Sequence, residues 1–584
     1  MARQVLAGAG GLTGRVPRWL VTVLGAALVL LGLVLAVRPF RSLAALVILL
    51  VGGLLLSGLG ELARGHRPWG PLHGLVQLLA ALSLLLWPGL GLGVLTLVVA
   101  AALVVDGVLG MVEGLRSTGE DRWAAALTGL ALTVVGILAL AWRDVALLVV
   151  AVAFGLRLVL LGLHLVRGAK NTHRTHRSHR PGRPRPTSPH RRLTRAVLAV
   201  TGAMALAVVG VLVQLGHPRP DAFYSAPEEV PAQPGQLLAA EPFVTGVPDG
   251  ASAWRILYTT TREDGIPAVA SGLVVTGREQ PGASPVIAWA HGTTGWAPGC
   301  APSLLDEPFE AGALFVLEEM LERGWTVVAT DYVGLGTEGP HPYVIGQGEG
   351  RSVLDSVRAA QQLEGPVLAD TTVVWGHSQG GHAALWTGIL APDYAPELSI
   401  DGVAALAPAS NLQALVQVIE QSPVGALFAV YVVQAYTSVY PEVRYEDYVR
   451  PGAQLLAREM AQRCLPDRGV LVSLGQSLLL DRPIWDRDPT TGPFGARLEQ
   501  NVPTGRVEAP LLVAQGEADT LITPAAQEAY VTGRCAEGQE VDYRTYPGRD
   551  HLSLVAADSP AMEELLTWTT QRLAGSPAGD TCPG

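Results

Sequence analysis

Seven long apolar stretches occupy the first 216 residues, and no other feature constrains the fold as strongly. An α-helix rises about 1.5 Å per residue, so about 20 apolar residues cross the roughly 30 Å hydrocarbon core of a bilayer. The stretches are 19–37, 43–60, 72–87, 91–112, 123–142, 145–166 and 196–215. We therefore predict an all-α domain of seven transmembrane helices. A cleaved signal peptide fits poorly, because six further apolar stretches follow the first.

Charge divides the chain into two parts and predicts its orientation. Residues 1–216 hold 21 Lys and Arg against 6 Asp and Glu, which leaves 20 against 45 for residues 217–584. Arginines precede the odd-numbered helices, and residues 167–195 hold ten basic residues and no acidic one. Basic segments flanking membrane helices stay in the cytoplasm. The N-terminus is then cytoplasmic, and the seventh helix leads the acidic part out of the cytoplasm.

The predicted organisation follows from these two patterns. A six-helix membrane domain covers residues 1–166, a basic cytoplasmic loop 167–195, the seventh helix 196–216 and an extracytoplasmic domain 217–584. The basic loop is suited to anionic lipid headgroups, so the plasma membrane is the predicted location and the bilayer a predicted partner. The acidic domain argues against a nucleic-acid partner.

The first six helices are repetitive. Segments that open at Arg38, Trp87 and Trp142 each contain an apolar run, small residues and a closing Arg, about fifty residues apart. Residues 19–168 thereby resemble the short-repeat membrane proteins linked to bacterial acid resistance, and we expect three helical hairpins. Asp106 and Arg157 lie inside predicted helices, which raises the hypothesis of an intramembrane ion pair. The alternative is that both lie near helix ends and extend toward the interface.

Cysteine and histidine placement bears on compartment and metal binding. All four cysteines lie in the acidic part, at positions 300, 464, 535 and 582. An even number in one domain favours disulfides formed in an oxidising compartment, with three pairings open, over four buried thiols. Loop histidines 173, 176 and 179 recur every third residue, but histidines in a basic loop are usually solvated. We predict no metal site and no cofactor.

From residue 255 onward, short apolar runs alternate with helical segments. The predicted strands are 255–260, 271–276, 285–291, 326–331, 371–378, 401–408, 509–517 and 540–547, and the predicted helices are 311–323, 350–363, 379–390 and 560–573. Continuous apolar runs are typical of strands buried on both faces of a parallel sheet, so we predict a doubly wound α/β fold. Residues 410–505 are too long for a bare connection. We interpret them as a helical lid, with an ordinary helical insertion as the alternative.

One motif carries the predicted chemistry. Gly376-His377-Ser378-Gln379-Gly380 follows a strand and opens a helix, which is the setting of the nucleophile elbow of α/β-hydrolases. A serine hydroxyl needs an imidazole to take its proton and a carboxylate to orient that imidazole. Asp519 and His551 follow in the order expected for this fold.

Other titratable residues lie near these positions in the sequence. Glu517 remains an alternative acid, whereas the Asp550 side chain is expected to point elsewhere. We interpret His377 as packing and His382 as lying on the helix away from the chemistry. The sequence thus predicts one nucleophile, one base and a choice between two acids.

The predicted oxyanion hole takes one backbone N–H from Gln379, the residue after the nucleophile. The second donor is expected from the loop His291-Gly292-Thr293-Thr294-Gly295 after the strand 285–291. We choose Thr293, with Gly292 as the near alternative, and interpret His291 as structural.

Four motifs then point to one family. "AHGTTGWAPGCAPS", "DYVGLGTEGPHPY", "SVLDSVRAA" and "GHSQGGHAAL" resemble the secretory lipase family over residues 235–575. The resemblance implies an α/β-hydrolase core with a helical lid, acting on carboxylic esters that include triacylglycerols. It carries the catalytic triad onto Ser378, Asp519 and His551.

The same resemblance places Tyr332 and Gly334 beside the pocket as substrate-binding residues. Family members are mostly secreted free, so the membrane part leaves the natural substrate, the acyl chain length and the oligomeric state open. The predicted function is a membrane-anchored serine ester hydrolase (lipase or esterase) that uses an acyl-enzyme. The alternatives are an acyltransferase acting on an envelope lipid or glycan, and a non-catalytic membrane sensor.

Overall fold

A computed structural model describes most of the acidic part and about half of residues 1–216. The described residues are 18–37, 51–52, 55, 70–86, 92–118, 122–142, 155–156, 158–160, 162–163, 165–167, 189–215 and 217–582, the last without 278–281, 420–423 and 481–482. Two compact units divide the chain. The first comprises residues 1–214 with 451–456 and 478–482, and the second comprises the remainder.

Five helices are described in the first unit. They are α1 (Arg18–Val37), α2 (Gly70–Leu86), α3 (Leu92–Arg116), α4 (Arg122–Ala141) and α5 (Pro189–Leu215). They coincide with the first, third, fourth, fifth and seventh predicted stretches. The second and sixth stretches lie mostly outside the described residues. Among the described helices, Arg122–Ala141 and Arg192–Val211 are long and apolar enough to cross a membrane. The seven-helix topology therefore stays a prediction.

Helices α3 and α4 form a close antiparallel hairpin. A Cβ atom on Gly107 would lie 2.6 Å from the Gly129 carbonyl oxygen, and one on Gly129 would lie 2.5 Å from the Met111 nitrogen. Glycine at these positions lets the two helix backbones approach this closely. The Asp106 carboxylate of α3 accepts a 2.9 Å hydrogen bond from the Gln77 amide of α2. Its hypothesised partner Arg157 lies outside the described residues, as do histidines 173, 176 and 179.

The second unit is built on a nine-stranded sheet in the order β1-β2-β3-β5-β4-β6-β7-β8-β9. The strands are β1 (Leu237–Phe243), β2 (Ser252–Thr261), β3 (Pro267–Thr276), β4 (Ser284–Ala290), β5 (Thr326–Thr330), β6 (Leu368–His377), β7 (Ser399–Leu406), β8 (Leu511–Gly516) and β9 (Asp542–Tyr546). The pairs among β1, β2, β3 and β5 are antiparallel, and the pairs from β5 through β4 to β9 are parallel. All eight predicted strands are present. Strand β1 was not predicted, because it is an edge strand with no fully buried residue and therefore has no apolar run along its whole length.

Helices cover both faces of this sheet. The helices are α6 (Leu317–Glu322), α7 (Gly346–Ala360), α8 (Gln379–Tyr394), α9 (Leu412–Ile419), α10 (Gly425–Val439), α11 (Tyr445–Tyr448), α12 (Gln454–Ala461), α13 (Val470–Leu479), α14 (Gly492–Gln500), α15 (Pro524–Ala536) and α16 (Pro560–Leu573). One apolar core joins the sheet to α7 and α8, and a second core on the opposite face joins it to α6 and α16. This is the predicted doubly wound α/β architecture. Helices α9 to α14 form the insertion between β7 and β8.

Two disulfides join the four cysteines. Cys300 pairs with Cys464, and Cys535 pairs with Cys582. The first links the loop after β4 to the insertion, and the second links α15 to the C-terminal segment. The expectation of disulfides over free thiols is thus confirmed.

Candidate active site

Ser378 occupies a strained turn between β6 and α8. Its φ of 58° lies in the left-handed region, and its N–H donates a 2.9 Å hydrogen bond to the Leu406 carbonyl of β7. A Cβ atom on Gly376 would lie 2.0 Å from the Gly380 carbonyl oxygen, and one on Gly380 would lie 1.9 Å from the Ala290 carbonyl oxygen. Only glycine fits at both positions, so the motif G-x-S-x-G is a steric requirement of this turn.

The three residues predicted as a triad form one chain of hydrogen bonds. His551 Nε2 lies 2.8 Å from Ser378 Oγ, and His551 Nδ1 lies 2.7 Å from Asp519 Oδ2. The other oxygen, Asp519 Oδ1, accepts the backbone N–H groups of Leu521 at 2.8 Å and Ile522 at 2.9 Å. These two bonds aim the carboxylate at the imidazole. The buried carboxylate in turn orients the ring toward the serine hydroxyl.

Neighbouring carboxylates do not reach the imidazole. Glu517 is exposed and accepts a 3.0 Å hydrogen bond from the Thr545 hydroxyl. Asp550 accepts hydrogen bonds from the hydroxyl and N–H of Ser553, and these bonds lower the pKa of its carboxyl. Asp519 is therefore the acid in contact with His551. Among the described residues, no group of three or more His, Cys, Asp and Glu side chains is arranged to hold a metal ion.

His377 contacts the back of the candidate base, which its interpretation as packing did not foresee. Its Nε2 lies 2.9 Å from the His551 carbonyl oxygen, and the two rings lie 4.7 Å apart. Because a carbonyl can only accept, His377 Nε2 carries the proton. Burial, together with the neighbouring His551, lowers the pKa of His377 to about 3, so this ring is neutral at physiological pH.

Two backbone N–H groups remain candidates for an oxyanion hole. Gln379 is the first residue of α8, where a backbone N–H has no partner within the helix. The Gly292 N–H donates to the Gly312 carbonyl at 2.9 Å and is thus already committed. Thr293 is left as the second donor. Its hydroxyl forms a 2.9 Å hydrogen bond with the Tyr343 hydroxyl.

Comparison with known proteins places the chain in a family. The model of the secretory lipase family matches residues 310–581. Secreted triacylglycerol lipase LIP4 of Malassezia globosa is 30% identical over 353 residues, which are 56% of this chain and 74% of that lipase. The chain belongs to the secretory lipase family. A family model described as a short repeat of unknown function matches residues 23–79, 72–131 and 127–181, which confirms the repeats.

One further relative and one solved structure are also similar to this chain. A probable inactive lipase of Mycobacterium tuberculosis is 28% identical over 387 residues, 62% of this chain and 84% of the relative. The crystal structure of Candida antarctica lipase A in its closed state covers 62% of this chain and 89% of that chain, with a TM-score of 0.54 and 21% identity. The second likeness supports the α/β-hydrolase fold.

The two residues that the secretory lipase resemblance placed beside the pocket are both buried in this structure. Tyr332 is completely buried, and its hydroxyl donates a 3.1 Å hydrogen bond to the His291 carbonyl. A Cβ atom on Gly334 would lie 2.5 Å from the His341 nitrogen. Tyr332 thus supports the loop His291–Gly295, which bears the candidate oxyanion donors, and Gly334 packs against the segment at Pro340 and His341. His291 is buried too, and burial lowers its pKa to about 4, consistent with the structural role assigned to it.

The insertion is attached directly to the loop His291–Gly295, the candidate oxyanion loop. Cys464 of the insertion is bonded to Cys300, and the Leu465 N–H donates to the Thr294 carbonyl at 2.7 Å. The Thr294 hydroxyl also donates to the Cys300 carbonyl at 2.7 Å. Ser378 is 9% exposed. The loop that bears Thr293 and the root of the insertion therefore form one connected piece.

Proposed function

We propose that the chain is a membrane-anchored serine hydrolase that cleaves carboxylic esters outside the cytoplasm through an acyl-enzyme. The observation that carries this proposal is the hydrogen-bond chain from Asp519 through His551 to Ser378. It is mounted on a nucleophile elbow and lies beside the unpaired N–H of Gln379.

The first half of the reaction forms the acyl-enzyme. His551 Nε2 takes the proton of Ser378 Oγ as that oxygen attacks the ester carbonyl carbon. The carbonyl oxygen becomes an oxyanion, which the N–H groups of Gln379 and Thr293 stabilise. When the C–O bond to the leaving group breaks, His551 gives its proton to the departing alcohol. The acyl group remains on Ser378.

The second half releases the acid. Water gives its proton to His551 Nε2 and attacks the acyl carbon. The same two N–H groups stabilise the second oxyanion, and collapse breaks the bond to Ser378 Oγ. The proton returns to Ser378, the carboxylic acid leaves, and the enzyme is restored. Asp519 keeps the imidazole in one tautomer throughout and stabilises its charged form.

Access to the site is proposed to be controlled by the insertion. Ser378 is 9% exposed, so little of this residue is open to solvent. Helix α10 is almost wholly apolar and has nine buried residues. Movement of the insertion about the segment at Cys464, which is bonded to Cys300, would open a route for an acyl chain without displacing the triad.

Location is proposed from the helices and the disulfides. The apolar segment Arg192–Val211 precedes His217, where the hydrolase part begins. Its N-terminal side is basic, which favours a cytoplasmic start. Two disulfides in the hydrolase part suit an oxidising compartment. The substrate is then an ester present outside the cytoplasm, such as an acyl lipid.

Turnover of p-nitrophenyl esters by the full chain in detergent micelles tests the proposal, with acyl chains from two to sixteen carbons and Ser378→Ala as the matched control. We expect wild-type hydrolysis, and a loss of at least about 10³-fold in the variant. Because one relative is named a probable inactive lipase, this measurement comes before any other. A folded protein without turnover, and without labelling of Ser378 by a fluorophosphonate, would contradict the proposal. Transfer of the acyl group to added glycerol in preference to water would identify an acyltransferase.

A further inference from the structure

A fully buried carboxyl contacts one side of the proposed oxyanion hole directly and is linked to the other side through a neighbouring segment. Glu349, in the first turn of α7, is completely buried. Its Oε1 accepts the Gln379 side-chain amide at 2.7 Å and the Val344 N–H at 3.0 Å. Val344 adjoins Tyr343, whose hydroxyl is bonded to that of Thr293 at 2.9 Å. One carboxyl is thus bonded to the residue that supplies one donor and to the segment that contacts the other.

The second oxygen of this carboxyl faces a histidine whose protonation the geometry restricts. His382 Nε2 lies 2.8 Å from the Asn501 carbonyl oxygen, which can only accept, so Nε2 carries a hydrogen. His382 Nδ1 lies 3.2 Å from Glu349 Oε2. A hydrogen bond between these two atoms requires one proton, on the nitrogen or on the oxygen. Burial raises the pKa of Glu349, which favours retention of that proton.

The Gln379 side chain is fixed from a second direction. His341 Nδ1 lies 3.3 Å from the Val333 carbonyl oxygen, so Nδ1 carries the hydrogen and Nε2 is free to accept. The Gln379 amide nitrogen lies 3.0 Å from His341 Nε2. Burial lowers the pKa of His341 to about 3, which keeps this ring neutral. Both hydrogens of the Gln379 amide are therefore used in hydrogen bonds.

A purely structural need does not explain such a group. Burying a carboxyl is unfavourable, and in many proteins a buried charged pair can be replaced by hydrophobic residues of similar volume without loss of stability. Here the polar contacts of the Glu349 carboxyl are with Gln379 of the elbow, with Val344 next to Tyr343, and with His382. Tyr343 is bonded to Thr293, and His382 is bonded to Asn501 of the insertion. A hydrogen-bonded carboxyl fixes the orientation of the groups that donate to it, whereas apolar packing does not.

We propose that Glu349 and His382 are positioning residues of the oxyanion hole. They share one proton and hold the backbones of Gln379 and Thr293 so that both N–H groups face the developing oxyanion. This inference rests on the proposed function, because it assigns the pair a role in ester hydrolysis.

Three variants of the full chain in detergent micelles test it. Glu349→Leu removes the carboxyl, and we expect kcat to fall about 100-fold with KM within about threefold, since loss of one oxyanion donor costs about 10²–10³ in kcat. In Glu349→Gln, the amide oxygen can accept both N–H groups and the amide nitrogen can donate to neutral His382. We expect this variant to recover kcat to within about threefold of wild type.

Asp355→Leu is the matched control. Asp355 is a buried carboxyl on the same helix, bonded to Thr260 and Tyr394 on the side away from the elbow. It should lose stability but keep kcat per active site, counted by fluorophosphonate labelling. Equal kcat losses in the two leucine variants would overturn the inference. The inference would also be overturned if Glu349→Leu lost activity only because fewer of its sites are labelled. A Glu349→Gln variant with a kcat as low as that of Glu349→Leu would overturn it as well.

A second measurement separates this inference from the proposed function. Hydrogen–deuterium exchange of residues 376–382 and 341–345 does not depend on turnover. We expect Glu349→Leu to raise exchange in both segments at least about tenfold, and Glu349→Gln to leave it near wild type. If wild type shows no turnover, the proposed function fails while exchange still decides whether the pair holds these segments. Unchanged protection of both segments in Glu349→Leu would refute the positioning role of Glu349 and His382.

Discussion

Removal of each disulfide in turn should separate stability from activity. Cys300 and Cys464 are 164 residues apart, and Cys535 and Cys582 are 47 residues apart. In the chain-entropy account, closing loops of these lengths stabilises the folded state by about 5 and about 4 kcal/mol. The double variants Cys300→Ser/Cys464→Ser and Cys535→Ser/Cys582→Ser should therefore lose similar amounts of stability, which makes each a control for the other.

Their effects on catalysis should differ. The first disulfide ties the insertion to the oxyanion loop, where Thr294 accepts the Leu465 N–H at 2.7 Å. Without it, the Thr293 N–H loses part of its support. A fully lost oxyanion donor costs about 10²–10³ in kcat, so we expect partial displacement to cost about tenfold. The second disulfide joins the end of α15 to the C-terminal segment, and its loss should leave kcat within about twofold.

The assay combines two measurements on the same preparations. Urea denaturation of the full chain in micelles reports stability, and p-nitrophenyl ester hydrolysis, expressed per site labelled by a fluorophosphonate, reports kcat and KM. Equal kcat values in the two double variants would refute the connection between the insertion and the oxyanion loop. A stability loss below about 1 kcal/mol in either variant would refute the loop-closure estimate.

Three further predictions concern the triad and the buried histidines. Asp519→Asn should lower kcat about 10⁴-fold with little change in KM, because the amide stabilises the wrong imidazole tautomer; a loss below tenfold would contradict the proposed triad. His377→Phe removes the hydrogen bond to the His551 carbonyl and should lower kcat about tenfold at constant KM, whereas His377→Gln, which can still donate, should recover much of it; equal rates in both variants would contradict a positioning role. Burial lowers the pKa of His291 to about 4 and those of His341 and His377 to about 3, while the unfolded chain protonates them below about 6.5. The unfolded state then binds more protons than the folded state as the pH falls through 6.5. We therefore expect the free energy of unfolding to decrease by about 2 kcal/mol per histidine between pH 7 and pH 5. An unchanged urea midpoint would contradict this.

The sequence predicts local features well where a single element creates the pattern. Strands buried on both faces appear as continuous apolar runs, so eight strands could be found without a structure, whereas the half-exposed edge strand β1 leaves no such run. The nucleophile elbow was also recognisable, because its glycines are dictated by contacts within one strand–turn–helix unit. The chain order of Ser378, Asp519 and His551 follows from the fold class. The repeats of the membrane part were visible for the same reason, since each repeat lies within one continuous segment.

Contacts between distant segments required the tertiary structure. Composition left three cysteine pairings open, and only the approach of the loop after β4 to the insertion selects Cys300 with Cys464. Gly292 and Thr293 are adjacent in sequence, yet the Gly312 carbonyl commits the N–H of Gly292. Tyr332 was expected beside the substrate and is instead buried beneath the oxyanion loop.

The same reasoning explains why Glu349 was not foreseen. It is 30 residues from Gln379 in sequence, and nothing in its own segment marks it as more than a helix residue. A hydrogen bond depends on distance and direction, and both are set by how α7 packs against α8. Residue types and their local spacing thus determined the fold class and the proposed nucleophile and base, whereas the structure distinguished Asp519 from Glu517 as the acid. The packing of helices and loops around the sheet decided which backbone N–H groups remain free and which side chains hold them in place.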